Sequence, residues 1–386
     1  MAFVPLKGVY VLDCSTLLPG PYCTMMLAEM GAKVVKVERA GTGEPMRTTI
    51  PGCFDYLNGN KKFVTLNLKQ PKGKALFLKM AEKADVVVEG FRPGTVKRLG
   101  IDFESVKKIN PAIIYCSLSG HGQTGPYANI PGHDVNYQGL SGLLNISGNP
   151  EAGPEFPDGF QAADLSGSMF ALVSILAALN AKDKSATYLD ISISESLAMW
   201  MMPRFFEYLS EGKPSKSKFM GRGPYGIFET KDGKYITIGV VENHFWDNLC
   251  KVLNFDDLAS DPTLGSWHAR NHERAKIVPR LKKAIKKKDA DDWIRILTAA
   301  DIPAAPVCDF EDWHNNPQFK YKNFIPTKTD GSIDRNAFRR FPLTDIKIDN
   351  QQNQEDTAIG KDNFEILTDL GISDTEIDAY KKEGVI

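Results

Sequence analysis

Short apolar runs and breaks alternate along the first forty residues. Val9-Tyr10-Val11-Leu12 reads as a short buried strand, and Leu17-Leu18-Pro19-Gly20-Pro21 then breaks the chain. Residues 22–30 carry apolar side chains at helical spacing as far as Gly31, which suits a C-cap. A second strand over 33–37 alternates Lys and Val. Strand, helix, strand predicts a βαβ unit, and so a parallel sheet with a ligand crevice at its strand ends. The pattern continues with a helix over 72–83 and strands over 85–89 and 113–117. Gly and Pro are frequent from Gly142 to Gly159, after which Asp164 opens the most apolar helix of the chain, running to about Ala181. Residues 221–240 alternate about Lys231-Asp232-Gly233, which predicts a β-hairpin. Residues 243–301 read as helical and highly charged, so a second, smaller α+β domain is expected here. Two short helices are expected over 363–371 and 373–382.

Composition narrows the class. In 386 residues, 47 Lys and Arg oppose 48 Asp and Glu, a net charge of -1 that gives no electrostatic reason to expect nucleic acid or an acidic membrane surface as partner. Lys282, Lys283, Lys286, Lys287 and Lys288 are interleaved by Leu281 and Ile285, the pattern of a solvated helix face. Six cysteines without a CxxC pair fit reduced thiols in the cytoplasm. The start of the chain lacks the pattern of a signal peptide, and the longest apolar run, 169–179, is too short to span a bilayer. A soluble protein off the membrane is expected.

Several chemistries have no motif here. No GxGxxG follows the first predicted strand and no Walker sequence is present, so nothing at that βα turn supports a nicotinamide or nucleotide-hydrolysing reaction, and GxSxG is absent. The i, i+4 pair His268 and His272 has no HExxH context and reads as a solvated helix face, so no metal is expected. Three places could carry chemistry instead. Gly132-His133-Asp134 sets an imidazole beside a carboxylate. Asp164 stands where an N-cap would, and a helix N-terminus favours the charged carboxylate, keeping it available as base or nucleophile. Glu242 lies just past the hairpin. Arg39, Arg92 and Arg98 stand near predicted strand ends, where guanidinium groups suit the phosphates of an adenine-containing ligand.

These stretches together resemble a family. LLPGPYCTMMLAEMGAKVVKVER, LNGNKKFVTLNLKQPKG, VVVEGFRPGTVKRLGID, NPAIIYCSLSGHGQTGPY, PGHDVNYQGLSGLL and the Asp164 helix start are similar, in the same order, to the class III CoA transferases (CaiB/BaiF type) and their relatives the α-methylacyl-CoA racemases. The resemblance implies an α/β fold. A Rossmann-like large domain (1–200) would be followed by a linker (201–220), an inserted small domain (221–318), and a linker with the C-terminal return to the large domain (319–386). Two chains would interlock, with the active site between the large domain of one and the small domain of the other.

The same resemblance implies an acyl-CoA thioester as substrate, coenzyme A being its only cofactor-like part, held by Arg39, Lys61, Lys62, Arg92 and Arg98. Asp164 falls at the family's catalytic aspartate. In racemases it shares exchange of the α-proton with a histidine, and GHDVNY resembles the racemase form of that motif, which points to His133. Asp134 and Glu242 would then be supporting carboxylates, Glu242 fixing the His133 tautomer. A 2-methylacyl-CoA racemase is the leading expectation. The alternative is a CoA transferase in which Asp164 is the covalent nucleophile and a carboxylic acid is the second substrate.

Overall fold

β-branched residues build the sheet. In the computed structural model, which describes residues 4–157, 159–334 and 357–386, six strands run parallel: β1 (Tyr10–Cys14), β2 (Lys33–Glu38), β3 (Lys62–Thr65), β4 (Val86–Glu89), β5 (Ile114–Ser119) and β6 (Thr187–Ser192). Their spatial order is β3-β2-β1-β4-β5-β6. Val11 is in register with Val34 on one side and with Val86 on the other. Strand side chains alternate between two apolar layers. Val11, Val34, Val86, Val88 and Cys116 face one core, while Leu12, Val35, Val87 and Tyr115 face the other. Each such buried side chain contributes about 1.5–3 kcal/mol.

Helices cover both faces. The first core contains residues of α1 (Pro19–Glu29) and the second those of α2 (Pro71–Ala81). α1 includes Pro19-Gly20-Pro21, which the sequence pattern had placed in a break. Proline at the first helical position lacks only an N–H that would have no helical partner, and its fixed φ suits that turn. Two further helices, α3 (Asp134–Leu140) and α4 (Ala162–Asn180), follow β5. α4 is long and apolar enough to cross a membrane by length and composition, more than the 169–179 run suggests; its buried side chains lie in the first core. α5 (Ile193–Ser210) comes after β6.

The described chain falls into two units: one takes in residues up to Leu144, Phe156–Pro203 and Lys322–Ile386, the other Asn145–Glu155 and Arg204–Tyr321. The segment 145–155 therefore leaves the large domain drawn from the sequence. Lys216 Nζ donates to the carbonyls of Ser147 (2.8 Å) and Gly153 (2.7 Å), and Glu151 pairs with Arg274 (2.9 Å), which fastens it to the second unit. That unit is an antiparallel sheet of β7 (Tyr225–Glu229), β8 (Tyr235–Gly239) and β9 (Ala304–Pro306) with α6 (Asn243–Leu253), α7 (Arg274–Ile285) and α8 (Ala290–Ala299), around a core that includes Phe228, Ile236, Trp246, Leu281 and Trp293. The hairpin and the amphipathic charged helices agree with the sequence pattern; β9 had no sequence signal beyond a three-residue Ala-Ala-Pro.

The last two helices, α9 (Asn363–Asp369) and α10 (Asp374–Lys382), return to the first unit; residues 335–356 of this return lie outside the described residues. Asp362 Oδ2 accepts from Phe63 N–H (2.7 Å) and Asn363 Oδ1 from Thr65 N–H (2.8 Å). Side chains thus satisfy the outer edge of β3, which would otherwise be open for pairing.

Candidate active site

Open α/β sheets bind ligands beyond the carboxyl ends of their strands, at the point where strand order reverses. Here that point lies between β1 and β4. A cleft of about 380 Å³ opens there, lined by Ser15 and Leu17 after β1, Phe91 and Arg92 after β4, His121 after β5, and by His133, Tyr137 and Asp164. Leu17 holds a left-handed φ of 62°, a strained conformation for a branched side chain. The loop is fixed at its root: Ser15 N–H donates to Asp13 Oδ1 (3.0 Å), and the Ser15 carbonyl accepts from Lys36 Nζ (2.9 Å).

Asp164 is the third residue of α4 rather than its cap. The cap comes from another helix: Asp134 Oδ1 accepts from the N–H groups of Ala163 (2.9 Å) and Asp164 (3.1 Å), while its Oδ2 accepts from Gln138 Nε2. This corrects the electrostatic expectation. The helix N-terminus stabilises the buried Asp134 carboxylate, and Asp164 is left half-buried beside it. Burial, and then the neighbouring Asp134 charge, push the Asp164 carboxyl from 3.8 up to about 7. Near neutral pH it exists in both forms, the condition in which one group can take up and return a proton or act as an anionic nucleophile.

Around Asp164 stand two imidazoles and a phenol. His133 is exposed; its backbone N–H donates to Asn136 Oδ1 (2.9 Å) at the start of α3. Tyr137 is buried and donates to the Gly132 carbonyl (2.7 Å). Its side chain fits between Gly120 and Gly132, where a Cβ would come within 2.3 Å of the hydroxyl and 2.8 Å of the ring, so glycine at both positions makes room for it. Burial raises the Tyr137 hydroxyl, with Asp164 adding to the rise and Arg92 opposing it. The third ring, His121, meets Tyr137 edge-on at 5.2 Å and has Nδ1 3.1 Å from Ser194 Oγ.

The cations divide sharply. Arg92 lines the cleft; Arg39 after β2 and Arg98 are exposed, Arg98 donating to Thr95 Oγ1 (3.0 Å). Lys61 is buried with Nζ donating to Asp13 Oδ2 (2.9 Å), Pro21 O (3.0 Å), Thr24 Oγ1 (2.8 Å) and Asn58 Oδ1 (2.8 Å), and burial lowers it to about 8. Lys62 pairs with Glu365 (2.7 Å) and Asp362 (3.4 Å) of the C-terminal return. His268 and His272 are exposed with Nε2 atoms 3.0 Å apart, and among the described residues no group of three or more His, Cys, Asp or Glu could hold a metal ion.

The sequence model of CoA-transferase family III matches residues 6–361. The chain belongs to that family. It is 32% identical over 332 residues to the acetyl-CoA:oxalate CoA-transferase of Acetobacter aceti, covering 83% of this chain and 85% of that protein. With the human alpha-methylacyl-CoA racemase it shares 28% identity over 398 residues, 99% of this chain and 97% of that one. A crystal structure of a CAIB/BAIF family protein from Brucella suis matches 95% of this chain and 99% of its own with a TM-score of 0.79 at 28% identity.

Of the residues that the family III resemblance singles out, Asp164, His133 and Arg92 line one cleft, and Asp134 is bonded to the turn that bears Asp164. Glu242 is exposed in the second unit, at the residue before α6. The ammonium groups expected on coenzyme A at Lys61 and Lys62 have internal partners instead. Sequence reasoning did not single out Lys36, which is buried against Glu44 (3.1 Å) and Asp13 (3.8 Å). His121, inside the NPAIIYCSLSGHGQTGPY stretch, was not singled out either. The glycines at 120 and 132 were the available signal for the ring packing there.

Proposed function

We propose that this protein moves coenzyme A from an acyl-CoA to a free carboxylic acid, with Asp164 as the covalent nucleophile. The observation that carries the reading is a carboxyl group tuned to ionise near neutrality at the switch-point cleft. An Asp164 carboxylate oxygen attacks the thioester carbonyl; the C–S bond breaks, giving a mixed anhydride and CoA thiolate. The thiolate attacks the Asp164 carbonyl, which releases the first acid as carboxylate and leaves an aspartyl-CoA thioester. The incoming carboxylate then attacks that thioester to form a second anhydride, and the thiolate finally takes its acyl group and frees Asp164. Arg92, with Arg39 and Arg98, supplies cations for the phosphates. Similarity to the acetyl-CoA:oxalate transferase favours this reading over the racemase that the GHDVNY motif put first.

Racemisation stays as a second reading because His133 lines the same cleft as Asp164. In it one of the two removes the α-proton and the other returns one on the opposite face. A homodimer fits either reading: Val173 on α4 is 58% exposed, and Met199 and Trp200 on α5 are 58% and 47%, an apolar surface that a second copy would cover. The six free cysteines suit a reducing compartment such as the cytoplasm. Hydroxylamine should inactivate the enzyme only after acyl-CoA is added, with the hydroxamate at Asp164. Deuterium entering the α-position of a branched acyl-CoA in heavy water, with no acid added and no hydroxamate formed, would replace transfer by racemisation.

A further inference from the structure

The cleft contains an imidazole that neither reading of the reaction has used. His121 leaves β5 two residues after its end and is locked from two sides. Its Nδ1 is 3.1 Å from the hydroxyl of Ser194, a buried residue whose backbone N–H donates to the Gly120 carbonyl (3.0 Å), and its ring is edge-on to Tyr137 (5.2 Å) and Tyr127 (5.7 Å). The loop beyond it is fastened by the Gln123 N–H to both oxygens of Asp190, each at 3.0 Å. His133, by contrast, is exposed, and the bond that anchors it to Asn136 is made by its backbone.

Groups that stabilise developing charge act through preorganisation, since they need no rearrangement as the reaction proceeds. Ser194 Oγ also lies 3.3 Å from Ser192 Oγ, and either bond can run in either direction; with Ser192 donating to Ser194 and Ser194 donating to Nδ1, the His121 ring carries its proton on Nε2 as a donor. We propose that His121 is the oxyanion donor of the cleft, its Nε2–H hydrogen-bonding to the thioester oxygen as Asp164 adds to the carbonyl carbon. The proton stays on nitrogen throughout, so no further acid or base is needed. The proposal deepens the transfer reading and rests on it.

The test is rapid-quench mass spectrometry of the whole enzyme mixed with acetyl-CoA, following covalent modification of Asp164, alongside acetyl-CoA affinity by calorimetry on Asp164→Asn backgrounds. His121→Phe preserves the ring and its edge contacts while removing both nitrogens. It should slow adduct formation about 100-fold with affinity within about twofold of its parent. Ser194→Ala, which removes only the partner of Nδ1, should slow it less, and His121→Gln, retaining a donor, should fall between His121→Phe and the wild type. Adduct formation by His121→Phe at the wild-type rate overturns the role of His121 while leaving transfer intact, as does a loss found only in affinity. Absence of any adduct in the wild type overturns the transfer reading and this inference with it. If His121→Phe does not fold, the Ser194→Ala and His121→Gln rates decide: unchanged rates in both reject the proposal.

Discussion

Two aspartates stand near the carboxyl edge of one sheet, in opposite surroundings. Asp13 at β1 is buried, which by itself would raise its pKa, yet the Lys36 and Lys61 ammoniums with the Ser15 and Thr24 hydroxyls overcome burial and hold it below the ordinary carboxylate range. At Asp164 burial, and then the neighbouring Asp134 carboxylate, move the carboxyl up to about 7. A buried carboxylate compensated by cations is a stable anion and holds a loop in place; one buried without that compensation, beside a like charge, is reactive. The same residue type thus serves as scaffold at position 13 and as chemistry at position 164, and the fold assigns the buried ammoniums of Lys36 and Lys61 to the scaffold.

The sharpest way to break this contrast is to neutralise each side. Asp164→Asn should abolish transfer, by about 10⁴-fold or more, while the protein stays folded by circular dichroism. Lys61→Met removes the nearer of the two ammoniums beside the buried Asp13 charge, at 2.9 Å against 3.8 Å for Lys36, and should destabilise the fold by about 3 kcal/mol in urea unfolding. If Lys61→Met instead leaves stability untouched and weakens acyl-CoA binding, Lys61 belongs to the ligand after all, and the division between the two centres fails.

How far the chain itself revealed this division follows from the same physics. The parallel sheet was legible because strands buried on both faces are continuous apolar runs, as in Val86-Val87-Val88, and α4 was legible from its apolar composition. Asp164 and His133 came from motif resemblance. What stayed hidden depends on partners remote in sequence. Lys36 carries no motif, and Lys61 resembles a cation for coenzyme A, until Asp13, 23 and 48 positions away, is beside them. Asp134 looks like a catalytic neighbour until it caps a helix thirty residues on. His121 lies inside the NPAIIYCSLSGHGQTGPY stretch, but nothing in that stretch singles it out; the Ser194 hydroxyl, 73 positions later, and the Tyr127 and Tyr137 rings fix it in the cleft.

The pH dependence sharpens the comparison next. Because Asp164 keeps its proton more tightly folded than unfolded, ionising it opposes folding: below about pH 4 the wild type and Asp164→Asn should be equally stable. Between about 4 and 7 the unfolded chain of the wild type ionises first, and the gap in favour of Asn should widen, levelling off above 7. Each tenfold difference in proton affinity is about 1.4 kcal/mol, reduced here because the group borders water. Melting curves of both proteins across pH 4–8 check it, and the adduct rate should rise through about 7 as the nucleophile ionises. A parallel pair of melting curves would mean that Asp164 titrates like an exposed carboxylate.

The smallest effect concerns the cations that the fold leaves in solvent. Arg39 follows β2 by one residue and is exposed, three positions from Lys36, which is buried and paired. Removing a buried cation leaves its partner unsatisfied, whereas an exposed guanidinium has only a ligand to lose, so Arg39→Ala should leave the melting temperature unchanged. Phosphate contacts far from the reacting carbon bind ground and transition states alike, so KM for acyl-CoA should rise about tenfold while kcat stays near the wild-type value. Steady-state kinetics with acetyl-CoA and with a truncated acyl-pantetheine separates the outcomes: the pantetheine lacks the nucleotide phosphates, and against it Arg39→Ala and the wild type should be indistinguishable. An equal loss with both substrates would move Arg39 from phosphate binding to the architecture of the strand end.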